Sequence, residues 1–499
     1  YPVLSFLDDA GDARDWFPSV VAEKGGELRF GFEALAMASD ESTVVRSFKR
    51  LLSDPLAVPG SPARVGSLTL PLGDLVTRFL VAVKEAILER SNLSREIRKA
   101  GTDAFRSVVA VPANAHAAAR FVTLDAFRRA GFLPTALVNE PSAAGFEYTH
   151  RHRDTLTPRR EHVVVYDLGG GTFDASLVRM RERRHEVLAT AGVSRLGGDD
   201  FDDVLLELVL DRAKLARGAI PPRSLERLLE QCRDAKERLH PTSRKVTIDL
   251  EGILGRLAPL PEALIAVSDF YDACAPLVER SIEAMIPVMA RLDGALTEVG
   301  GTPEDIAGIY VVGGGSELPI VPRALRKRFG RRVHRSPYPS AAIAIGLAIA
   351  CDETAGFELS DRYARTFGVF REGAAGAAIT FDPIFTSETL LPARATEHVQ
   401  CRRDYRAVHN VGHFRFFECS AVGPDGRPRG DMVMSGDVLF PFDPSLGEGI
   451  TDIAAVPVRR MGNLGPHIEE EYALDENGMV AVTIRNLDSG YHRVYRVGA

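Results

Sequence analysis

Three consecutive glycines, Gly169-Gly170-Gly171, stand between two runs that both read as buried strands, Val163-Val164-Val165-Tyr166-Asp167 and Phe173 to Met180. Successive glycines open backbone conformations closed to other residues and let several N–H groups face one anion. A phosphate fits such a turn. Asp167 and Asp174 flank it and could hold a hydrated magnesium ion or orient a water, and the Thr172 hydroxyl could bond a phosphate or that water. Because a strand and not a helix follows the glycines, both a Walker A loop and a dinucleotide-binding turn are excluded. The competing reading is a plain glycine-rich hairpin with exposed aspartates.

The strand-then-glycine theme recurs at Ile306 to Val312 and Gly313-Gly314-Gly315, where a helix from about Pro319 to Phe329 follows. Hairpin turns that grip phosphates, with a distant glycine turn at a helix N-terminus receiving the other end of a nucleotide, make up the actin-like arrangement. The rest of this region suits an α/β fold. Helical spacing of Leu72, Leu75, Val76, Phe79, Leu80, Val83 and Ile87 predicts a helix over 69–88, and Ser107 to Val111 reads as a strand leading into a helix from Ala115 to Ala130. Long helices are expected over 224–239 and 271–299. After Ala350 the texture becomes short alternating runs, clearest at 414–420, 438–442 and 479–485, and the Asn477-Gly478 pair favours a tight type I′ hairpin.

A chain of 499 residues is too long for one core. With 45% hydrophobic and 26% charged residues it is an ordinary globular composition, and a net charge of −7 supplies no broad basic field for nucleic acid. The five cysteines, an odd set without a C-x-x-C pair, argue against a disulfide framework or a structural zinc site. No apolar run is long enough to span a membrane and the start lacks a signal-peptide pattern, so a cytoplasmic location with no membrane partner is expected. Position 1 is not methionine and the first residues read as a strand in mid-sheet, which suggests that the natural chain begins upstream.

Four ordered motifs sharpen this reading: Val111-Pro112-Ala113-Asn114, Asn139-Glu140-Pro141 with Ser142-Ala143-Ala144, the string Asp167 to Asp174, and Leu196-Gly197-Gly198-Asp199-Asp200-Phe201-Asp202. In order and spacing they resemble the nucleotide-binding domain of the DnaK-type heat-shock protein 70 chaperones. The resemblance continues through Gly313-Gly314-Gly315-Ser316 and 341–346, and more faintly into 468–484. It implies an actin-like, ribonuclease H-like, two-lobed α/β nucleotide-binding domain over 1–353, a linker over 354–362 and an all-β sandwich that binds peptide over 363–499.

By the same resemblance, Lys49 is the catalytic lysine and Glu140 the carboxylate that links hydrolysis to subdomain motion. Asp167 and Asp174 belong to the magnesium and potassium sphere, and Thr172 contacts the γ-phosphate. Gly169, Gly170, Gly171, Gly197, Gly198, Lys236, Gly313, Gly314 and Gly315 contact ATP or ADP, and Pro112 and Arg120 form a relay to the second domain. The partners implied are unfolded or extended peptide segments, a J-domain co-chaperone and a nucleotide-exchange factor.

The sequence departs from the family pattern in several places. The first phosphate turn, a D-L-G-T-T string, is not in the sequence. Around the adenine, Arg233, His240, Glu317 and Ser340 replace the usual residues, and Arg233 with Glu317 suggests an ion pair of reversed partners. The linker is only partly apolar, and a sandwich without the family's helical lid is expected. An ATP-hydrolysing chaperone is therefore expected, with a pseudo-ATPase or nucleotide-gated scaffold as the alternative and a small-molecule kinase of the same superfold as the lesser one. The arginine-rich stretches 151–160 and 179–184 read as a solvated loop and hairpin tip.

Overall fold

The computed structural model describes residues 3–37, 43–46, 48–54, 56–101, 105–181, 184–193, 195–290, 306–352, 354, 356, 358–359, 361–363, 365–373, 378–392, 396–446, 452–461 and 465–498. The chain packs as two units, each drawn from separated stretches of sequence. One takes in Tyr1–Val3, Ala38–Arg50 and Asn139–Leu359, and the other Leu4–Met37, Leu51–Val138 and Ser360–Ala499.

The first unit is built on a six-stranded sheet in the order Val333–Arg335, Ile306–Val312, His162–Leu168, Phe173–Arg181, Arg184–Val193, Glu358–Leu359. The three strands from His162 to Val193 form an antiparallel meander, and Ile306–Val312 adds to it in parallel. Both faces are covered, which explains why the strands read as continuous apolar runs. Side-chain alternation sends Val164, Tyr166 and Leu168 into one core with Phe201, Leu228, Phe270 and Leu325, and sends Val163 and Val165 into another with Ala144, Tyr148 and Tyr310. Against the second face lies the Glu140–His152 helix, and the Ala342–Cys351 helix packs on it. That crossing depends on Gly346, where an added Cβ would stand 1.7 Å from the Ala143 carbonyl oxygen.

The second unit contains a two-layer β-sandwich. One sheet runs Ala378–Phe385, Thr366–Gly373, Val411–Val422, Pro428–Pro441, and the other Val399–Arg406, His467–Leu474, Val480–Asn486, His492–Arg496, all antiparallel. Phe367, Phe385, Phe416 and Tyr472 fill the space between the sheets. Part of that interior is ionic. Glu470, fully buried, accepts two hydrogen bonds from the Arg371 guanidinium at 3.0 and 2.7 Å and one from Tyr405 at 2.6 Å, besides one from Tyr472. Arg371 Nε and Arg403 Nε then share Asp382 Oδ2 at 2.6 and 2.8 Å. Two cations thus meet two carboxylates, and every strand of the cluster is tied across the layers.

The same unit holds the Leu72–Arg90 helix, the paired strands Arg106–Val111 and Leu133–Asn139, and the Ala117–Arg129 helix between them. Ala117, at the start of that helix, packs into the sandwich core and donates its N–H to Glu418 Oε2 at 3.0 Å. Arg120 donates to the Asn477 carbonyl at 3.3 Å, and the Asn477 side-chain oxygen accepts from Leu137 N at 3.0 Å. Of the sequence-assigned relay pair, Arg120 is therefore held against a turn of the sandwich.

Two expectations are corrected. Phe6–Leu7 pairs with Ala13–Arg14 in a two-stranded ribbon and is not a mid-sheet strand, while Tyr1 and Pro2 lie outside the described residues. The Asn-Gly turn is not type I′, because Gly478 has φ +73° but Asn477 does not enter the left-handed region. The Asp475 carboxylate fixes this geometry by accepting from Asn477 N at 2.9 Å and Met479 N at 2.8 Å, giving a turn followed by a left-handed glycine. The far end of the 271–299 helix falls partly on 291–305, outside the described residues; the described helix is Val267–Met289.

Removing one partner of a buried pair leaves the other charged and unpaired. Glu470→Ala should accordingly lower the unfolding free energy by about 3–5 kcal/mol, measured by urea denaturation, whereas Tyr405→Phe should lower it by about 1 kcal/mol.

Candidate functional site

Strand register puts Asp167 directly opposite Asp174. Like charges facing each other across an antiparallel pair are destabilising, so this placement answers to something other than stability. Gly169 N donates to Thr172 O at 3.0 Å and closes the hairpin between them. None of Gly169, Gly170 and Gly171 has a left-handed φ, contrary to the expectation that they supply unusual backbone angles. Clearance is what Gly171 provides. A Cβ on Gly171 would meet Arg50 Nε at 2.5 Å, and a Cβ on Gly170 would meet nothing within 4 Å.

Two further bends close on this turn. Gly198 N donates to Gly169 O at 2.9 Å and Asp199 N to Gly170 O at 2.8 Å, so the start of the Gly198–Ala213 helix is bonded to the hairpin. A Cβ on Gly197 would stand 2.6 Å from the Gly170 and Gly171 backbone. On the other side, the parallel pairing of Asp167 with Val312 brings Gly313-Gly314-Gly315 alongside. Gly313 takes φ +83°, a conformation other residues rarely adopt, and its missing Cβ leaves room for Asp167 Oδ1, 2.4 Å from where that atom would be. Gly315 likewise clears the Gly169 carbonyl at 2.6 Å. The three bends singled out in the sequence therefore converge.

Lys49 reaches the same place from the short 3₁₀ turn Phe48–Ser53 and donates to Glu140 Oε1 at 2.7 Å. Glu140 is the first residue of its helix and only 9% exposed. Desolvation pulls the Lys49 pKa down, but Glu140 first, then Asp167 and Asp174, outweigh it and the net shift is upward. The carboxylates move too. Burial, then Glu140 and Asp174, push Asp167 up to about 8 against the pull of Lys49, and burial with Glu140 pushes Asp174 up to about 7, partly offset by Lys49 and the Thr172 hydrogen bond. Three acids share one ammonium, so near neutral pH the two aspartates hold protons that a cation can displace. Among the described residues no group of three His, Cys, Asp or Glu is arranged to hold a metal. A cation at Asp167 and Asp174 would therefore complete its shell with water or phosphate oxygens, as magnesium does.

Lys236 and Arg233 extend the site along the Pro222–Glu237 helix. Lys236 Nζ donates to Gly198 O at 2.8 Å and pairs with Asp202 at 2.6 Å. The reversed Arg233–Glu317 pair is not formed. Arg233 is held by Asp199 and Asp202, both at 3.0 Å, and Glu317 lies 3.6 Å from Arg335. Nearby carboxylates won because the Gly198–Ala213 helix presents both Asp199 and Asp202 to the Arg233 guanidinium. Arg50 was not singled out in the sequence, yet its side chain lies over Gly171 and pairs with Asp200 at 3.1 Å and Asp199 at 3.6 Å. Its position next to Lys49 was the available signal.

Residues 83–406 match the family model described as Hsp70 protein. The chain is 33% identical over 359 residues to the chaperone protein HscA homolog of Burkholderia multivorans, an alignment covering 70% of this chain and 54% of the relative. It is 34% identical over 359 residues to the HscA homolog of Burkholderia ambifaria, with the same coverage. The chain belongs to the Hsp70 family, and its fold class is the actin-like α/β domain followed by a β-sandwich. It spans about half the length of the curated relatives it matches. Lys49 lies before the matched segment, so its inclusion in the site rests on geometry.

The raised carboxylates carry a pH signature whose sign is fixed. In the folded protein Asp167 and Asp174 keep protons up to about pH 8 and 7, whereas unfolded aspartate loses them near pH 3.8. Folding therefore binds protons across that window, and this cluster's contribution to stability falls as pH rises through it. Asp167→Asn should melt progressively higher than the parent protein between pH 5 and pH 9 without magnesium, as followed by differential scanning calorimetry, and millimolar magnesium should narrow the gap at pH 9.

Proposed function

We propose that this protein binds and hydrolyses ATP and uses the nucleotide state to change its hold on extended polypeptide. What supports the reading is the meeting of three glycine bends, Lys49, Glu140, Asp167 and Asp174 in one place, in a chain of the Hsp70 family. The backbone amides of Gly170, Gly171 and Thr172 would cradle the phosphates, those of Gly169, Gly198 and Asp199 being already bonded between the bends. Asp167 and Asp174 would hold magnesium, with potassium as a second ion, which neutralises phosphate charge when bound. Lys49 would face the charge that develops on the γ-phosphoryl group, with Glu140 fixing its ammonium. Thr172 would bond the γ-phosphate or the attacking water. Lys236 would contact the ribose, and Gly313 to Gly315 the other end of the nucleotide.

The domains we assign are 1–353 for nucleotide, 354–362 as linker and 363–499 for peptide, with Arg120 and Pro112 relaying between them. Unfolded or extended peptides, a J-domain protein and an exchange factor are the partners this reading implies, in a cytoplasmic setting. Among the described residues no helix is long and apolar enough to cross a membrane.

One observation favours a second reading, a nucleotide-gated scaffold without useful turnover. Arg233 is committed to Asp199 and Asp202, and position 317 holds a carboxylate beside Arg335, so neither position supplies a free cation to stack on a base. Single-turnover hydrolysis separates the two. Magnesium-dependent phosphate release that Lys49→Ala lowers by about 100- to 1000-fold supports the ATPase, while thermal stabilisation by ATP with no release, in the parent and the variant alike, supports the scaffold.

A further inference from the structure

The Leu72–Arg90 helix breaks two local rules near its C-terminal end. Glu85 and Glu89 stand four residues apart, where like charges repel, and Glu89 lies in the last turn, where the helix dipole disfavours an acid. Both are exposed, and among the described residues neither has a cationic partner. Lys84, next to Glu85 in sequence, is engaged elsewhere, by the Gly131 carbonyl at 2.8 Å and the Phe105 ring. Local rules broken without a compensating contact mark places that answer to function and not to stability.

What sets these two apart from an ordinary exposed acid is that they line a cavity. It has a volume of about 210 Å³, lies wholly within the second unit, and includes Phe17, Phe30, Phe32 and Glu33 in its wall. The aromatic part of that wall depends on Gly31, which takes φ +62° and whose missing Cβ would stand 2.1 Å from the Phe17 ring. Phe17 therefore lies on bare backbone and meets Phe32 in a T-shaped pair, 5.5 Å between ring centres. Trp16, 49% exposed and the one tryptophan of the chain, packs on Phe32 at 5.9 Å and carries the aromatic surface outward.

Two arginines also reach the cavity, and neither is free for a ligand. Arg29 pairs with Glu27 at 2.8 Å and Glu33 at 3.9 Å, and Arg90 with Asp9 at 2.5 Å and Glu33 at 3.7 Å. Asp9, Glu27 and Glu33 already outnumber the two guanidinium groups, so Glu85 and Glu89 are surplus negative charge on the wall. An anion would meet committed cations and unanswered carboxylates, and a neutral apolar group would leave both glutamates unanswered.

We infer that this cavity receives the arginine or lysine side chain of a basic peptide segment presented by a partner protein. Glu85 and Glu89 answer the charged head, while the phenylalanine rings answer the aliphatic stem and attract the cation. A cavity of about 150 Å³ holds benzene, so this one suits a single side chain and not a drug-sized molecule, whose pockets run to about 300–1,000 Å³. Trp16, with the exposed Asp15 beside it, offers contact to the residues that flank the inserted one, which a free amine would lack. None of these residues is among those of the nucleotide site.

The test is titration of the full chain, without ATP, with a blocked peptide of four Arg-Gly repeats, followed by the fluorescence of Trp16, which reports from the site itself. A saturable change is expected, weakening as salt rises, with none from the same peptide carrying citrulline, uncharged and nearly isosteric, in place of arginine. Glu85→Gln with Glu89→Gln should weaken binding by about tenfold, yet leave the melting temperature at or above that of the parent protein, because the repulsion and the unfavourable dipole contact are removed. Phe30→Leu should weaken binding by about 3- to 10-fold with an unchanged circular dichroism spectrum. The absence of a saturable response, an equal response to the citrulline peptide, spermidine binding as tightly as the peptide, glutamine variants that bind like the parent, or a Trp16 change produced by raising the protein concentration alone would each overturn the inference.

Discussion

The parallel pairing of Ile306–Val312 with His162–Leu168 is the constraint on which the candidate site depends. It sets the end of one strand beside the end of the other, so two glycine bends separated by about 140 positions of sequence become neighbours. Gly313 and Gly315 can then approach Asp167, Leu168 and Gly169 only because they carry no side chain. The antiparallel partner strand adds the second acid. Asp167 faces Asp174 not by chance of loop shape but because a four-residue connection fixes which residues oppose each other.

What stabilises this arrangement is distributed around it. The strands that deliver the acids are buried on both faces, and apolar burial contributes roughly 1.5–3 kcal/mol for each large side chain taken from water. That excess lets the sheet hold two facing carboxylates whose pKa values lie well above those of free aspartate. Lys49 relieves part of the strain and Glu140 adds to it, leaving a cluster short of positive charge. The sandwich handles buried charge differently, for there Arg371, Arg403, Asp382 and Glu470 neutralise one another within hydrogen-bonding distance. One cluster is complete as it stands and the other is not, which is the physical ground for treating only the second as a binding site.

Much of the first unit was legible because strands buried on both faces and helices with one apolar stripe leave periodic signals of their own. The strands at 162–168 and 306–312, the hairpin and the helices at 222–237 and 320–329 lie close to where residue spacing puts them. Pairings between charged side chains were less legible. Arg233 was expected to face Glu317, but two aspartates of a nearby helix turn lie closer, and nothing in linear spacing ranks those competitors. The Asn-Gly turn went the same way. Its local preference for a type I′ geometry lost to Asp475, whose carboxylate collects two backbone N–H groups, and to Asn477, whose side chain is engaged with Leu137.

The sequence by itself determined the kinds of elements, the two-part texture that changes near residue 350, and the glycine, acid and lysine motifs that place the chain in its family, because all of these are written in local spacing. Only the tertiary structure decided which carboxylate holds which cation, that Arg50 lies over Gly171 where a side chain would meet it, and that none of the glycines at 169–171 takes a left-handed backbone. Those outcomes turn on distances between residues far apart in the chain, and Coulomb attraction and steric exclusion act through space, where sequence order has no say.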